Sequence, residues 1–321
     1  MIKHAKTSRD PSTSLRSAQD DTEAEPRQTA AEILKKIRAL EIKTKGLVET
    51  AFAGDYHSVF KGRGMNFEDV REYQPGDEIR AIDWNVTARM GNAFVKKFTE
   101  ERELTVMLIV DVSASGNFGS TIQSKRELAA EVACLLAFSA IRNNDKVGLL
   151  LFTDRVELFI PPKKGRSHIL RLIREILFFE PAGRGTQPAL ALDYLNKIVT
   201  RRAVVFFISD FQAPDFSQAL AVTGRRHDFI AIHIQDERER VFPNVGIITL
   251  EDAETGQQIE INTSDRTTRT RLADVIEQQE TELSRVLRRN NVDAITLRTG
   301  DDYLPALRSF FKQRERRLAI R

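Results

Sequence analysis

From Thr105 onward the chain alternates short, almost wholly apolar runs with longer stretches of helical periodicity, and that alternation leaves few folds open. Thr105–Val110, Val147–Phe152, Ala203–Ile208 and Phe229–Ile234 carry hardly a polar side chain, as strands covered on both faces do. Between and around them, Lys125–Arg142, Ser167–Phe178, Gln187–Thr200 and Ser217–Arg226 read as helices. Val156–Ile160 adds a strand after Thr153-Asp154-Arg155. Further on, Arg266–Arg289 reads as a long helix, Ala294–Leu297 as a strand and Tyr303–Arg317 as a final helix. Ile247–Leu250 and Gln258–Ile261 flank Glu254-Thr255-Gly256 as a hairpin. Apolar strands alternating with helices predict an α/β fold over 104–321, a doubly wound, mostly parallel sheet with helices on both faces.

The preceding residues differ in kind. Residues 1–28 have too few large apolar side chains to offset their ordering entropy and read as a disordered tail. In 29–103, Ile33, Leu34, Ile37 and Leu40 recur at helical spacing, and the helix is expected to run toward Phe52. A Gly- and charge-punctuated stretch follows, with a turn at Pro75-Gly76-Asp77, and predicts a hairpin-like appendage. Lys plus Arg (49) nearly balances Asp plus Glu (46), so nucleic acid is not the expected partner. The basic cluster Lys312, Arg314, Arg316, Arg317 and Arg321 reads as a solvated helix end. No run approaches the roughly 20 apolar residues that span a bilayer, and the first residues lack a signal peptide's apolar stretch, so a cytoplasmic location is expected. Cys134 sits in an apolar run and reads as a small buried hydrophobe.

In open α/β sheets, ligands bind beyond the carboxyl ends of the strands, near the point where strand order reverses. The first strand delivers Asp111-Val112-Ser113-Ala114-Ser115-Gly116, one carboxylate and two hydroxyls at alternate positions. Ala203–Ile208 delivers Ser209-Asp210, and Gly183-Arg184-Gly185-Thr186 supplies a third hydroxyl ahead of a helix. Asp111, Ser113, Ser115, Thr186 and Asp210 are all hard oxygen donors, suited to Mg²⁺ with Mn²⁺ as a substitute. No His or Cys falls among them, which argues against zinc. Each piece alone has a plainer explanation, as a helix cap or a turn residue. At successive strand ends and in one chain order, they read as a metal site.

The arrangement resembles the metal-ion-dependent adhesion site of von Willebrand factor A domains, in which an Asp-x-Ser-x-Ser loop, a Thr and a second Asp hold the ion. Asp111, Ser113 and Ser115 match the first loop, Thr186 the second and Asp210 the third. The resemblance implies hydroxyls in contact with the ion, carboxylates acting through water, and an open position for the carboxylate of a client protein. A longer likeness is carried by Ser58-Val59-Phe60-Lys61-Gly62-Arg63-Gly64, by the run Phe67–Asn85 with its Tyr73-Gln74-Pro75-Gly76-Asp77 and Asp83-Trp84-Asn85, and by Ala88-Arg89. These are similar to the signature of the bacterial family of unknown function numbered fifty-eight, whose von Willebrand factor A-like proteins are often encoded beside MoxR-type AAA+ ATPases. One departure is Gly116, where members commonly have Met. The likeness implies a MoxR-type ATPase partner in protein maturation or complex assembly.

Within the signature, Arg71, Asp77, Arg80, Asp83, Trp84 and Arg89 either offer a partner surface or pin the appendage to the α/β domain by ion pairs and Trp84 packing. The pinning is the favoured expectation, because a polar, Gly-rich segment needs such anchors to be ordered. No catalytic or cofactor-binding residue is assigned. A phosphatase of the haloacid-dehalogenase type would need an acid two residues after Asp111, where Ser113 has no useful proton affinity. His4, His57, His168, His227 and His233 show no ligand spacing. The expected function is a metal-dependent protein-interaction module. A scaffold with a vestigial ion site and a metal-dependent hydrolase using Asp111 and Asp210 remain as alternatives.

Overall fold

The computed structural model describes residues 30–48, 53–60, 66–99, 103–119, 123–240, 243–251, 254 and 256–319. The tail expected over 1–28 lies outside them. Two helices come first, α1 (Ala30–Leu47) and α2 (Ala53–Phe60). Strands β1 (Asn66–Glu72) and β2 (Phe94–Thr99) then pair antiparallel, with α3 (Trp84–Met90) between them. The α/β body runs β3 (Thr105–Asp111), α4 (Lys125–Arg142), β4 (Lys146–Phe152), β5 (Val156–Lys163), α5 (Arg166–Phe178) and α6 (Pro188–Ile198). It continues through β6 (Val204–Ser209), α7 (Ser217–Arg226), β7 (Asp228–Gln235) and the short α8 (Glu237–Arg240). A hairpin of β8 (Ile247–Glu251) and β9 (Gln258–Asn262) precedes α9 (Arg266–Arg289), β10 (Asp293–Arg298) and α10 (Tyr303–Ala319).

The main sheet has the order β10-β7-β6-β3-β4-β5, parallel except for β5 at one edge. β3 is central, with Leu108 paired to Leu149 on one side and Phe206 on the other. Its side chains alternate between two cores, as strand geometry requires. Val106, Leu108 and Val110 join the core built with α4, α5 and α10, while Met107 and Ile109 join the one built with α6 and α7. Such two-sided burial explains why β3 and β6 read as unbroken apolar runs. The fold is the doubly wound α/β class that the alternation predicts.

α4 is buried around most of its circumference because α1 and α5 cover the side that the sheet does not. It opens with a capping box in which Ser124 and Glu127 each accept a hydrogen bond from the other's backbone N–H. Cys134 lies inside this layer beside the Thr44 hydroxyl at 3.3 Å, and burial pushes its thiol up to about 12.

Three expectations need correction. The stretch around Gly54 is not part of an appendage: α2 is a helix whose Tyr56, Val59 and Phe60 enter the main core, with the Phe60 ring 5.8 Å from Phe206 and 5.7 Å from Phe311. Of the described residues in that stretch, 66–99 carry the hairpin. Trp84 does not pack it against the body, being 65% exposed, and Arg71 pairs with Asp77 inside the hairpin while Asp83 caps α3. Nor is the C-terminal helix end wholly solvated. Arg314 is buried, bridging Asp228 and Asp293 while its guanidinium lies 5.3 Å from the centre of the Phe60 ring. A buried guanidinium needs both acids, and they sit at the first residues of β7 and β10.

Candidate functional site

Strand order reverses between β3 and β6. Strands β4 and β5 lie on one side of β3, and β6, β7 and β10 on the other. A crevice opens at the carboxyl ends of these two strands, where chains leave in different directions. Asp111 is the last residue of β3. One of its carboxylate oxygens accepts the Ser113 N–H at 2.9 Å, which turns the chain sharply, and the other accepts the Ser209 hydroxyl at 2.7 Å. The turn brings Ser113 Oγ to 3.0 Å from Ser115 Oγ, and Ser115 in turn hydrogen-bonds the Asp210 carboxylate. Asp111, Ser113, Ser115 and Asp210 thus form one cluster.

Thr186 stands on a neighbouring loop, its hydroxyl bonded to Glu254 and not to a member of the cluster. The Ala114 N–H donates to Arg184 O at 3.2 Å and draws the 183–186 loop against the 111–115 loop. On its other side the 183–186 loop packs against the turn after β4, where a Cβ on Gly183 would meet Asp154 Oδ1 at 2.1 Å and Thr153 Oγ1 at 2.2 Å. The Thr186 hydroxyl is buried, and it donates to Glu254 Oε1 at 2.7 Å.

Charge is concentrated here. Burial, reinforced by the neighbouring Asp210 carboxylate, pushes Asp111 up to about 7. Burial also acts to raise Asp210, but the Lys125 ammonium outweighs it and holds that carboxyl below its usual range. Lys125, the first residue of α4, is 3% exposed and places Nζ 2.7 Å from both Asp210 Oδ2 and Glu239 Oε1. A cavity of about 20 Å³, lined by Asp111, Ser115, Lys125, Ser209 and Asp210, leaves room for one water-sized occupant. The Asp111 and Asp210 carboxylates and the Ser115 and Ser209 hydroxyls around such a space are hard donors of the kind a divalent ion takes, although part of the negative charge is already met by Lys125, and neither Ser113 nor Thr186 lines the cavity. Among the described residues no group of three or more His, Cys, Asp or Glu gathers in a metal-holding arrangement, so the donors here are hydroxyls supported by two acids.

Beyond Asp210 the chain bends at Phe211, which adopts a left-handed φ of 55° and donates its N–H to Ser209 Oγ at 2.9 Å. A groove of about 590 Å³ opens beside it, lined by Phe211, Phe216, His233, Glu239 and Leu283. His233 hydrogen-bonds the Asp210 backbone, consistent with a satisfied histidine rather than a ligand.

Three residues escaped the sequence reading: Lys125, Glu239 and Glu254. Lys125 alone left a trace, as a lysine opening a helix that is apolar around nearly its whole girth.

Residues 69–282 match the profile of the family described as "Protein of unknown function DUF58". The uncharacterized protein Mb1516 of Mycobacterium bovis is 32% identical over 283 residues, covering 87% of this chain and 89% of its own length. The uncharacterized protein Rv1480 of Mycobacterium tuberculosis matches with the same figures. Among solved structures, an aerotolerance-related membrane protein from Bacteroides fragilis is similar with a TM-score of 0.42 and 15% identity, over 67% of this chain and 99% of that one. The SpRpn10 VWA domain is similar with a TM-score of 0.37 and 12% identity, over 66% and 95%. Among the described residues, no helix is long and apolar enough to cross a membrane.

Proposed function

This chain belongs to the DUF58 family of proteins of unknown function, and from the acid and hydroxyl cluster at its strand ends we propose that it is a metal-dependent protein-interaction module. The Ser113, Ser115 and Thr186 hydroxyls would hold Mg²⁺ or Mn²⁺, and Asp111 and Asp210 would balance its charge. When bound, the ion supplies an electrophilic contact for a carboxylate of the client. The observation that carries the reading is the Asp111–Ser113–Ser115–Asp210 cluster at the strand-order reversal, where a half-buried and a buried acid sit close enough for Asp111 to be pushed up to about 7. Such a pair is stabilised by a cation. The protein partner in this reading is a MoxR-type AAA+ ATPase, which the family likeness supplies, and the site is assigned no catalytic role.

A pull-down with the full chain, with and without EDTA, tests this. Capture of the ATPase or a client should fall in EDTA, and in Asp111→Ala and Ser113→Ala at saturating Mg²⁺. Equal capture under all four conditions would sink the reading.

Lys125 favours a second reading. Its buried ammonium already neutralises Asp210, so the chain could serve as a scaffold in which lysine has taken over the ion's role. Melting curves that do not move between EDTA and excess Mg²⁺ would select it.

A further inference from the structure

Helix α9 runs for 24 residues, yet Leu287 is the one residue along it that is buried. Its apolar side chains still form a stripe, with Ile276, Leu283 and Val286 on one face at helical spacing. Leu283 and Val286 pack against the core near the helix's C-terminal end. Ile276 belongs to neither core and faces the groove of about 590 Å³ beside Phe211. Residues 211–217 form the opposite wall of that groove, and residues 233–236 at the end of β7 form its floor. From Ile276 to Asn290 the wall supplied by α9 is about 20 Å long. That length takes about six residues of extended chain.

The groove is apolar within and acidic at its rim. Phe211 stacks on Phe216 with ring centres 5.8 Å apart and meets His233 edge-on at 5.7 Å. Asp210, Asp215, Asp236, Glu239, Glu280 and Glu282 line it, and among the described residues of the lining Arg289 is the one base, His233 being held neutral by burial. Lys125 pairs with Asp210 and Glu239, and Arg285 pairs with Glu282. Even with these two counted, the acids are twice as many as the cations. An apolar trough in such a field attracts a cationic guest and repels an acidic one.

We propose that the groove between α9 and the 211–217 loop binds an extended segment of a partner protein in which basic residues flank an apolar side chain. The apolar side chain enters beside Ile276 and Leu283, and its basic neighbours lie along Asp215, Glu280 and Glu282. This goes beyond the carboxylate contact proposed above, since it selects for the opposite charge. It does not need the ion, because Asp111, Ser113, Ser115 and Thr186 do not line the groove.

Selection of a displayed random nonapeptide library on the full chain, in EDTA and low salt, tests this. It should enrich Arg or Lys beside Leu, Ile, Met or Phe, and deplete Asp and Glu. By fluorescence anisotropy, the Kd of a selected peptide should rise about tenfold in Ile276→Ala. In Glu280→Gln it should rise roughly threefold to tenfold, an effect that shrinks as salt is added. The glutamine still offers an oxygen to the Gln235 amide, which Glu280 accepts at 2.8 Å, so the fold should be kept. Glu282→Lys, at an exposed position, repeats the charge test without touching that bond. Asp111→Ala should leave the Kd unchanged, which separates this groove from the ion site. No enrichment, enrichment of acidic peptides, or affinity that Ile276→Ala and both charge variants leave unaltered would overturn the proposal. So would selected peptides that bind wild type but not Asp111→Ala.

Discussion

Replacing Lys125 by Met removes a buried ammonium while keeping most of its aliphatic volume. Nζ lies 2.7 Å from Asp210 and from Glu239, and the side chain is 3% exposed. Its loss leaves two acids without their cation at the edge of a site that already contains Asp111. Stripping one partner from a buried ion pair costs about 3–5 kcal/mol. The methionine limits the added packing loss to less than about 1.5 kcal/mol. For a chain of this size the melting temperature should fall by roughly 5–10 °C in EDTA. Mg²⁺ should then do more for the variant than for the wild type, because the vacated charge deepens the ion's well. At about a hundred times its Kd, the ion returns about 2.7 kcal/mol through linkage, roughly half or more of the ion-pair loss. Thermal melts of both proteins in EDTA and in a Mg²⁺ series measure each quantity. A loss below about 1 kcal/mol would mean that the pair contributes no more than a surface ion pair. A large loss that Mg²⁺ does not restore would refute the claim that ammonium and ion share Asp210.

Gly183→Ala should destabilise by about 1–3 kcal/mol through overpacking against Thr153 and Asp154, and should weaken Mn²⁺ binding by displacing Thr186; a urea titration and a relaxation titration check the two effects. Burial holds the His233 imidazole down at about 4. The unfolded chain takes up that proton near pH 6.5, so stability is fully present above about 6.5 and is lost as pH falls toward 4, by about 3 kcal/mol. His233→Gln should flatten that part of the stability profile, and an unchanged slope would refute the assignment. Trp84, the sole tryptophan, is 65% exposed, so folded and denatured protein should emit at similar wavelengths. Trp84→Ala should shift stability by no more than about 0.5 kcal/mol, whereas a strongly blue-shifted native emission would place the ring in a packed interface.

What the sequence made legible follows from period and position. β3, β6 and β7 are apolar because both faces are covered, and α4, α7 and α9 begin and end where the helical pattern does. Asp111 and Asp210 could be found because chemistry in such a sheet collects where strands stop. The failures share one cause. Lys125, Glu239 and Glu254 act through contacts with residues 85, 114 and 68 positions away, and no local pattern encodes such distances. α2 was misplaced because Gly54 and Asp55 look like turn residues, and only its contacts with Phe206 and Phe311 reveal it as a core helix. Arg314 was read from its neighbours in sequence, whereas its environment is set by Asp228 and Asp293.

The burial of α2 bears on where this protein can be cut. A boundary drawn at residue 69, where the family-profile match begins, or at 104, where the strand–helix alternation begins, falls after both α1 and α2. A fragment starting at either point would keep every proposed ion ligand and lose Tyr56, Val59 and Phe60 from the face of Phe206 and Phe311. It would also strip α1 from α4, baring the side of that helix where Thr44 meets Cys134. The exposed apolar trough would make such fragments self-associate, so binding measured on them would report stickiness as readily as recognition. A fragment meant to keep this core must therefore include α1 and α2.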